Sequence, residues 1–236
     1  MELEYLDVLY EDNHLIIINK PAGWLVQGDE TGDQPISEVV KNYIKKKYEK
    51  PGDVFLGTVH RIDRPVSGVL LFARTSKALE RMNKMFADRQ IAKTYLALVE
   101  RRPYEFNGTL THYLSKDKSK NLTTAYSSQR YKDAKKASLD YRLIGEVGDF
   151  CALEVKPETG RSHQIRAQLA KIKCFIRGDV KYGASKPNED GRIHLHSFSL
   201  EFIHPVTQEP IKVMNFPPDE QIWNLFQDAI ADEMLK

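Results

Sequence analysis

The stretch His60-Arg-Ile-Asp-Arg-Pro-Val-Ser-Gly-Val-Leu-Leu-Phe-Ala-Arg74 joins a charged loop to an apolar run. The run that begins at Val69 predicts a short buried strand, and the proline and glycine before it predict a loop. If the residues ahead of the proline are extended, Arg61 and Asp63 project to one side while Ile62 points to the interior. An acid between two arginines on such a loop indicates binding or catalysis, and a structural ion pair is the alternative.

A second polar segment, Thr159-Gly-Arg-Ser-His-Gln-Ile-Arg166, stands at the start of a predicted helix over residues 162–172. Arginines in the first turns of a helix oppose its macrodipole, so Arg161 and Arg166 need a reason beyond helix stability. A phosphate or carboxylate partner supplies one, and an ion pair with a nearby acid of the protein is again the alternative.

The hydrophobic pattern of the remaining chain mixes strands and helices without a regular repeat. Residues 36–48 form an amphipathic stripe with the lysines opposite, and Ser76 is the predicted N-cap of a second helix that reaches about Asp88. The alternation in residues 194–203 is typical of a half-buried strand. Together these elements predict an α+β fold with a mixed, mainly antiparallel sheet flanked by helices, in one domain over residues 1–236. Further strands are predicted at 8–10, 14–20, 69–74, 94–100, 110–114, 139–143 and 151–155, and a final helix opens at Pro217-Pro218-Asp219.

Composition indicates an ordinary soluble protein. Of the 236 residues, 41% are hydrophobic and 29% are charged, and the apolar runs are far shorter than the roughly 20 residues that span a bilayer. The acidic start lacks the order of a secretory signal, so we expect a cytoplasmic protein. Cys151 and Cys174 do not form a CxxC pair, which predicts buried, reduced thiols.

Positive charge is concentrated in two segments. Residues 41–50 hold five Lys and one Glu, and residues 115–136 hold seven Lys or Arg and two Asp, although the whole chain is only +2. Clustered cations suit a polyanionic partner, and a merely solvated face is the alternative. The segment 115–136 contains neither Gly nor Pro, and we expect it to be a long mobile loop or an arm that becomes ordered on a partner.

Several classes of site are disfavoured by what the sequence lacks. Gly52 and Gly57 have phosphate-loop spacing, but Thr-Val follows where Lys-Ser/Thr is needed, and no G-x-G-x-x-G occurs. The residues around Asp63 do not have the spacing of a kinase catalytic loop. His194, His196 and His204 have no Cys or carboxylate at ligand spacing, so no metal site is expected.

Four motifs in order carry a resemblance to a known family. The stretch 60–74 resembles the signature of RluA-type pseudouridine synthases, and the segment 159–166 resembles the family's T-G-R-x-H-Q-I-R motif. Lys93-Thr-Tyr95 is similar to its K-x-Y segment, and residues 192–196 and 202–207 are similar to its closing strand. The likeness runs from about residue 8 to residue 218, and the departures are Val66, Arg74 and Gln168.

This resemblance implies the pseudouridine synthase fold with a central RNA-binding cleft, and an isomerase that converts uridine to pseudouridine in transfer or ribosomal RNA. It implies that Asp63 is the catalytic carboxylate, as nucleophile or base, and that Arg166 is its partner and keeps it ionised. By the same resemblance Tyr95 lies against the uracil and removes the final C5 proton, while Arg61 fills the gap left by the extruded base. No cofactor and no metal are implied.

The resemblance also implies contacts with RNA, and we expect a monomer without an N-terminal S4 domain. A non-catalytic RNA-binding module on the same scaffold is the main alternative; a glycoside hydrolase would need a second carboxylate that the sequence does not offer. The residues predicted to bind RNA are His60, Arg61, Arg64, Lys93, Arg161, Lys45, Lys46, Lys116, Lys118 and Arg130.

Overall fold

A computed structural model describes residues 5–234 of the chain. The described residues divide into two compact units, one built from residues 5–93 and 197–216 and the other from residues 94–196 and 217–234. The chain contributes, in order, β1 (Val8–Glu11), β2 (Leu15–Lys20), α1 (Ile36–Lys47), β3 (Gly57–Thr58), β4 (Ser67–Ala73), α2 (Ser76–Ala87), β5 (Ala92–Val99), β6 (Asn107–Asp117), β7 (Leu122–Tyr126), β8 (Lys135–Val147), β9 (Phe150–Pro157), α3 (Gln164–Lys171), a 3-10 turn (Val180–Tyr182), β10 (Leu195–Ile203), β11 (Pro210–Met214), α4 (Gln221–Asn224) and α5 (Gln227–Met234).

In the first unit, β2 and β4 form the centre of an antiparallel sheet. They pair from Leu15 opposite Ala73 to Lys20 opposite Gly68, and β1, β3, β10 and β11 add to this pair. Every residue of β4 is buried, as expected for its continuous apolar run. One face packs against α2 through Met82 and Ala78, so the strand that follows the charged loop is anchored in the core.

Gly68 sets the approach of the charged loop to the sheet. Its φ is +113°, and a β-carbon there would lie 2.2 Å from the carbonyl oxygen of Ser197 on β10. Only glycine accepts both the positive φ and the close backbone, so the position where the loop enters β4 is fixed by sequence.

The second unit contains the antiparallel strand order β5-β9-β8-β6-β7. Helix α3 packs against β6 and β7, where Ala167 meets a small buried cluster of Leu114, Ala125 and Ala137. This packing places the polar segment before α3 beside the strands that carry the second basic segment.

The α+β class and the mainly antiparallel sheet are confirmed. The predicted helix over 36–48 is α1, and the next helix begins as expected except that Thr75 is the N-cap, since its side chain accepts the Ala78 N–H at 3.1 Å. Cys151 and Cys174 are buried and unpaired. Within residues 5–234 no helix has the length and apolar character needed to cross a bilayer.

Two sequence interpretations are corrected. Strand β10 is buried on both faces and not half-buried: its polar residues His196, Ser197 and Ser199 are at most 3% exposed. Segment 115–136 is not a long loop, because it comprises the end of β6, all of β7 and the start of β8. In β7 the uncharged residues Thr123 and Ala125 are buried, whereas the charged residues of the segment lie at the end of β6, in the turn after it, in the loop after β7 and at the start of β8.

Candidate active site

The charged loop ahead of β4 has the alternation that the sequence predicts. Ile62 is 7% exposed, Arg61 is exposed and Asp63 is half-buried. A turn closes the loop, since Val66 N–H donates to the Asp63 carbonyl at 3.0 Å. Arg64 is exposed but has protein partners, donating to the Gly23 carbonyl at 2.9 Å and pairing with a carboxylate at 2.7 Å. The loop therefore holds Asp63 at a partly accessible position just ahead of the buried strand β4.

His60 anchors the start of this loop to the sheet. Its Nε2 accepts the Leu71 N–H at 3.0 Å, and its ring stacks on Phe86 of α2 with centroids 5.0 Å apart. Burial, with the nearby positive charge of Lys93, lowers the pKa of His60 to about 3. A neutral ring with these contacts has a structural role in anchoring the loop, and the RNA contact expected from the sequence stays a prediction.

Lys20 is a charged residue beneath the same loop that sequence reasoning missed. It is fully buried, and its Nζ donates to the carbonyl oxygens of Pro21 at 2.9 Å, Trp24 at 3.0 Å and Arg64 at 3.3 Å. Burial lowers the pKa of Lys20 to about 7, and attraction to the Asp63 carboxylate opposes that shift. The sequence signal was a lysine that ends an otherwise apolar strand just before a proline.

In the second unit, Tyr95 and Arg166 come from different elements. Tyr95 is half-buried on β5, opposite Val155 of β9. Arg166 lies in the first turn of α3, is 6% exposed and forms a two-point ion pair with Asp179: Nε to Oδ2 at 2.7 Å and Nη2 to Oδ1 at 2.8 Å. The sequence predicts an anionic partner for Arg166, and the carboxylate of Asp179 is one such partner.

The segment before α3 is held by its own side chains. Thr159 Oγ1 donates to Gln164 Oε1 at 2.7 Å, and the Arg161 N–H donates to the same oxygen at 3.0 Å. His163 takes a left-handed conformation with φ of 50°, and α3 begins at the next residue. Arg161 is exposed at this bend, whereas Gln164 is buried.

The basic segments present their cations to solvent. Lys45 and Lys46 are exposed in the last turn of α1, where cations also complement the helix dipole. Lys118 and Arg130 are exposed, and Lys116 Nζ donates to Ser162 Oγ at 3.1 Å, which links β6 to the segment before α3. The remaining predicted contact, Lys93, is mostly buried, and burial lowers its pKa.

The histidines considered as metal ligands have protein partners. His194 lies 3.3 Å from Glu220 Oε2, and His204 lies 2.9 Å from Asp12 Oδ2. Across the described residues 5–234, no three His, Cys, Asp or Glu side chains gather as a metal-binding group.

Comparisons with known proteins agree on one family. A family model described as RNA pseudouridylate synthase matches residues 14–171. The tRNA pseudouridine synthase C of Vibrio parahaemolyticus is 34% identical, and the match covers 98% of this chain and 97% of that protein. The ribosomal large subunit pseudouridine synthase D of Borreliella burgdorferi is 32% identical over 82% of this chain and 60% of that protein. Among solved structures, human RNA pseudouridylate synthase domain containing 4 superposes with a TM-score of 0.78 at 22% identity, covering 94% of this chain and 92% of that one.

Proposed function

This chain belongs to the RNA pseudouridylate synthase family and is a pseudouridine synthase, and from that premise we propose that it modifies transfer RNA with Asp63 as its catalytic carboxylate. The choice of transfer RNA is supported by the Vibrio parahaemolyticus enzyme named for transfer RNA, which is 34% identical over 98% of this chain and 97% of its own length; the Borreliella enzyme named for the large ribosomal subunit is 32% identical over 82% of this chain and 60% of its own length.

The reaction breaks the N1–C1′ bond, turns the uracil and forms a C5–C1′ bond, after which C5 loses its proton and N1 gains one. Asp63 either attacks the sugar or removes a proton from it, and both roles require an ionised carboxylate. The observation that carries this assignment is the setting of Asp63, half-buried on a loop anchored by Gly68 and attracted by the buried ammonium of Lys20.

The other proposed roles follow the family motifs. Arg166 is assigned as the partner of the catalytic carboxylate, and Tyr95 stacks on the uracil and takes the C5 proton. Arg61, exposed beside Asp63, enters the space left by the extruded nucleotide. Extrusion costs a few kcal/mol and least in a loop, so a loop uridine is the proposed target.

RNA phosphates are proposed to lie along the β6–β7 hairpin and the end of α1. In the loop that follows β7, the Arg130 guanidinium is 5.6 Å from the ring of Tyr126, and that ring meets Tyr131 edge-on at 5.3 Å. Cations interleaved with aromatic faces suit an RNA strand, since one binds phosphate and the other stacks on bases. The exposed cations assigned to this contact are Lys45, Lys46, Lys116, Lys118, Arg130 and Arg161.

The substrate is tested by incubating the protein with unmodified transfer RNA and with ribosomal RNA fragments and mapping pseudouridine by carbodiimide and reverse transcription. We expect new stops at a loop uridine of transfer RNA. Modification of ribosomal fragments alone would overturn the choice of RNA, and RNA binding without any modification would favour the non-catalytic module.

A further inference from the structure

We propose that Asp179 and Tyr182 are positioning residues that hold the Arg166 guanidinium in its working orientation. The inference rests on the proposed role of Arg166 and adds two residues that the motifs around Asp63, Tyr95 and Arg166 do not include. All of its evidence lies within the second unit.

Asp179 fixes the plane of the guanidinium. Its two carboxylate oxygens accept from Nε at 2.7 Å and from Nη2 at 2.8 Å, and Asp179 is only 2% exposed. Because two of its nitrogens bind the same carboxylate, the guanidinium group cannot rotate relative to Asp179. This pairing sets the direction in which Nη1 points. The cost of removing both charges from water offsets the attraction within a buried ion pair, so such a pair adds little to the free energy of unfolding. We therefore assign this pair a role in orientation.

Tyr182 covers the guanidinium from one face. Its ring centroid is 4.8 Å from the Arg166 Cζ. Its hydroxyl accepts the Thr123 N–H at 2.9 Å and lies 2.8 Å from Nδ1 of His163, to which it can donate. The ring is therefore held by contacts at its far end and cannot drift away from the arginine.

The 3-10 turn that carries both residues is closely constrained. Gly178 and Gly183 flank it with φ of +84° and +107°, and a β-carbon on Gly183 would lie 2.8 Å from the Phe175 ring. Asp179 and Tyr182 thus come from one rigid turn. Thr123 belongs to β7, so the Tyr182 hydroxyl that binds its N–H also connects this turn to the hairpin proposed to bind RNA. RNA binding to the hairpin and the orientation of Arg166 are therefore linked through Tyr182.

The test compares Asp179→Asn and Tyr182→Phe with wild type, with Asp149→Asn as the matched control at an exposed carboxylate of the same unit. The readouts are the single-turnover rate on transfer RNA, the Kd for the same RNA and the unfolding temperature. We expect Asp179→Asn to slow the single-turnover rate about 10- to 100-fold with the Kd within about twofold, since misplacing a catalytic group by about 1 Å costs up to about 100-fold. Tyr182→Phe should slow it less, with the same unchanged Kd, and the control should match wild type.

A purely structural role would move the unfolding temperature and leave the rate of the folded fraction unchanged, which would overturn the proposal. If Asp179→Asn does not fold at the assay temperature, Tyr182→Phe decides, because it keeps the ring and removes only the hydroxyl; a wild-type rate then overturns the proposal. Combining Asp179→Asn with Arg166→Lys should cost little more than Arg166→Lys alone.

The Arg166→Lys variant distinguishes failure of the positioning role from failure of the proposed function. If it is inactive while Asp179→Asn and Tyr182→Phe are normal, the positioning role is wrong and the proposed function stands. If Arg166→Lys is itself as fast as wild type, the role assigned to Arg166 in the proposed function is what fails.

Discussion

Lys20 is a single buried ammonium on which three backbone carbonyls converge, one of them the carbonyl of Arg64 next to Asp63. It ties the end of β2 to the loop that carries the catalytic carboxylate. The Lys20 ammonium is also attracted to the Asp63 carboxylate. Lys20 therefore holds the loop in place and adds positive charge near Asp63. The sequence could not reveal this, because the carbonyl of Arg64 comes from 44 residues away.

Replacing Lys20 with Met keeps most of the side-chain volume but removes the donor from three carbonyls. A buried polar group without a partner costs ~1–3 kcal/mol, so we expect the free energy of unfolding to fall by roughly 2–4 kcal/mol. Urea unfolding measures this, with Lys45→Met at an exposed site as the control. Equal stability of the two variants would show that the carbonyls do not depend on the ammonium.

His60 predicts how stability depends on pH. In the folded chain its pKa is lowered to about 3 from 6.5, because burial disfavours the charged ring and Lys93 adds a positive charge nearby. Between these values the unfolded chain binds the extra proton, so stability is fully present above pH 6.5 and is lost as the pH falls toward 3. His60→Gln should flatten this part of the stability profile, and His14→Gln in the same unit should not. An unchanged acid limb in His60→Gln would contradict the assignment.

At the scale of elements, the β6–β7 hairpin combines regular strand with concentrated positive charge. Strand β7 carries no charge, and the cations lie at the end of β6, in the turn between the two strands and in the loop after β7, which is why charge alone predicted a loop or an arm. Helices α1 and α2 were predictable because their apolar stripes recur at helical spacing. The alternation in β10 predicted a half-buried strand, but its polar side chains are buried as well; Ser197 Oγ, for example, donates to the Val69 carbonyl at 3.0 Å.

The cations of the β6–β7 hairpin and of the loop after β7 should govern how RNA binding depends on salt. Each phosphate contact adds about 0.7–0.9 to the slope of log K against log salt, so changing Lys116, Lys118 and Arg130 to Gln should lower the slope by about 2–3. Removing the same number of charges from exposed lysines elsewhere, Lys77, Lys84 and Lys212, is the control. Titrations of labelled transfer RNA at several salt concentrations give both slopes, and equal slopes would rule out the hairpin as the phosphate contact.

At the scale of the whole molecule, the sequence predicts the fold class and most elements, because hydrophobic period and turn residues act locally. It also predicts the family, because four motifs occur in order. The partners of site residues are beyond it: Asp179 and Tyr182 meet Arg166 only through the path of the chain after α3, and Lys20 meets its carbonyls only in the folded sheet. Sequence motifs therefore name the groups that react, whereas the residues that hold them require the structure.

Tritium release from transfer RNA labelled at C5 of uridine tests the central claim most directly, with wild type, Asp63→Asn and the exposed control Asp53→Asn measured side by side. We predict release by wild type and by Asp53→Asn, and none by Asp63→Asn, although all three bind the RNA and unfold at similar temperatures. Release by folded Asp63→Asn at the wild-type rate would contradict the account, because isomerisation would then not depend on this carboxylate.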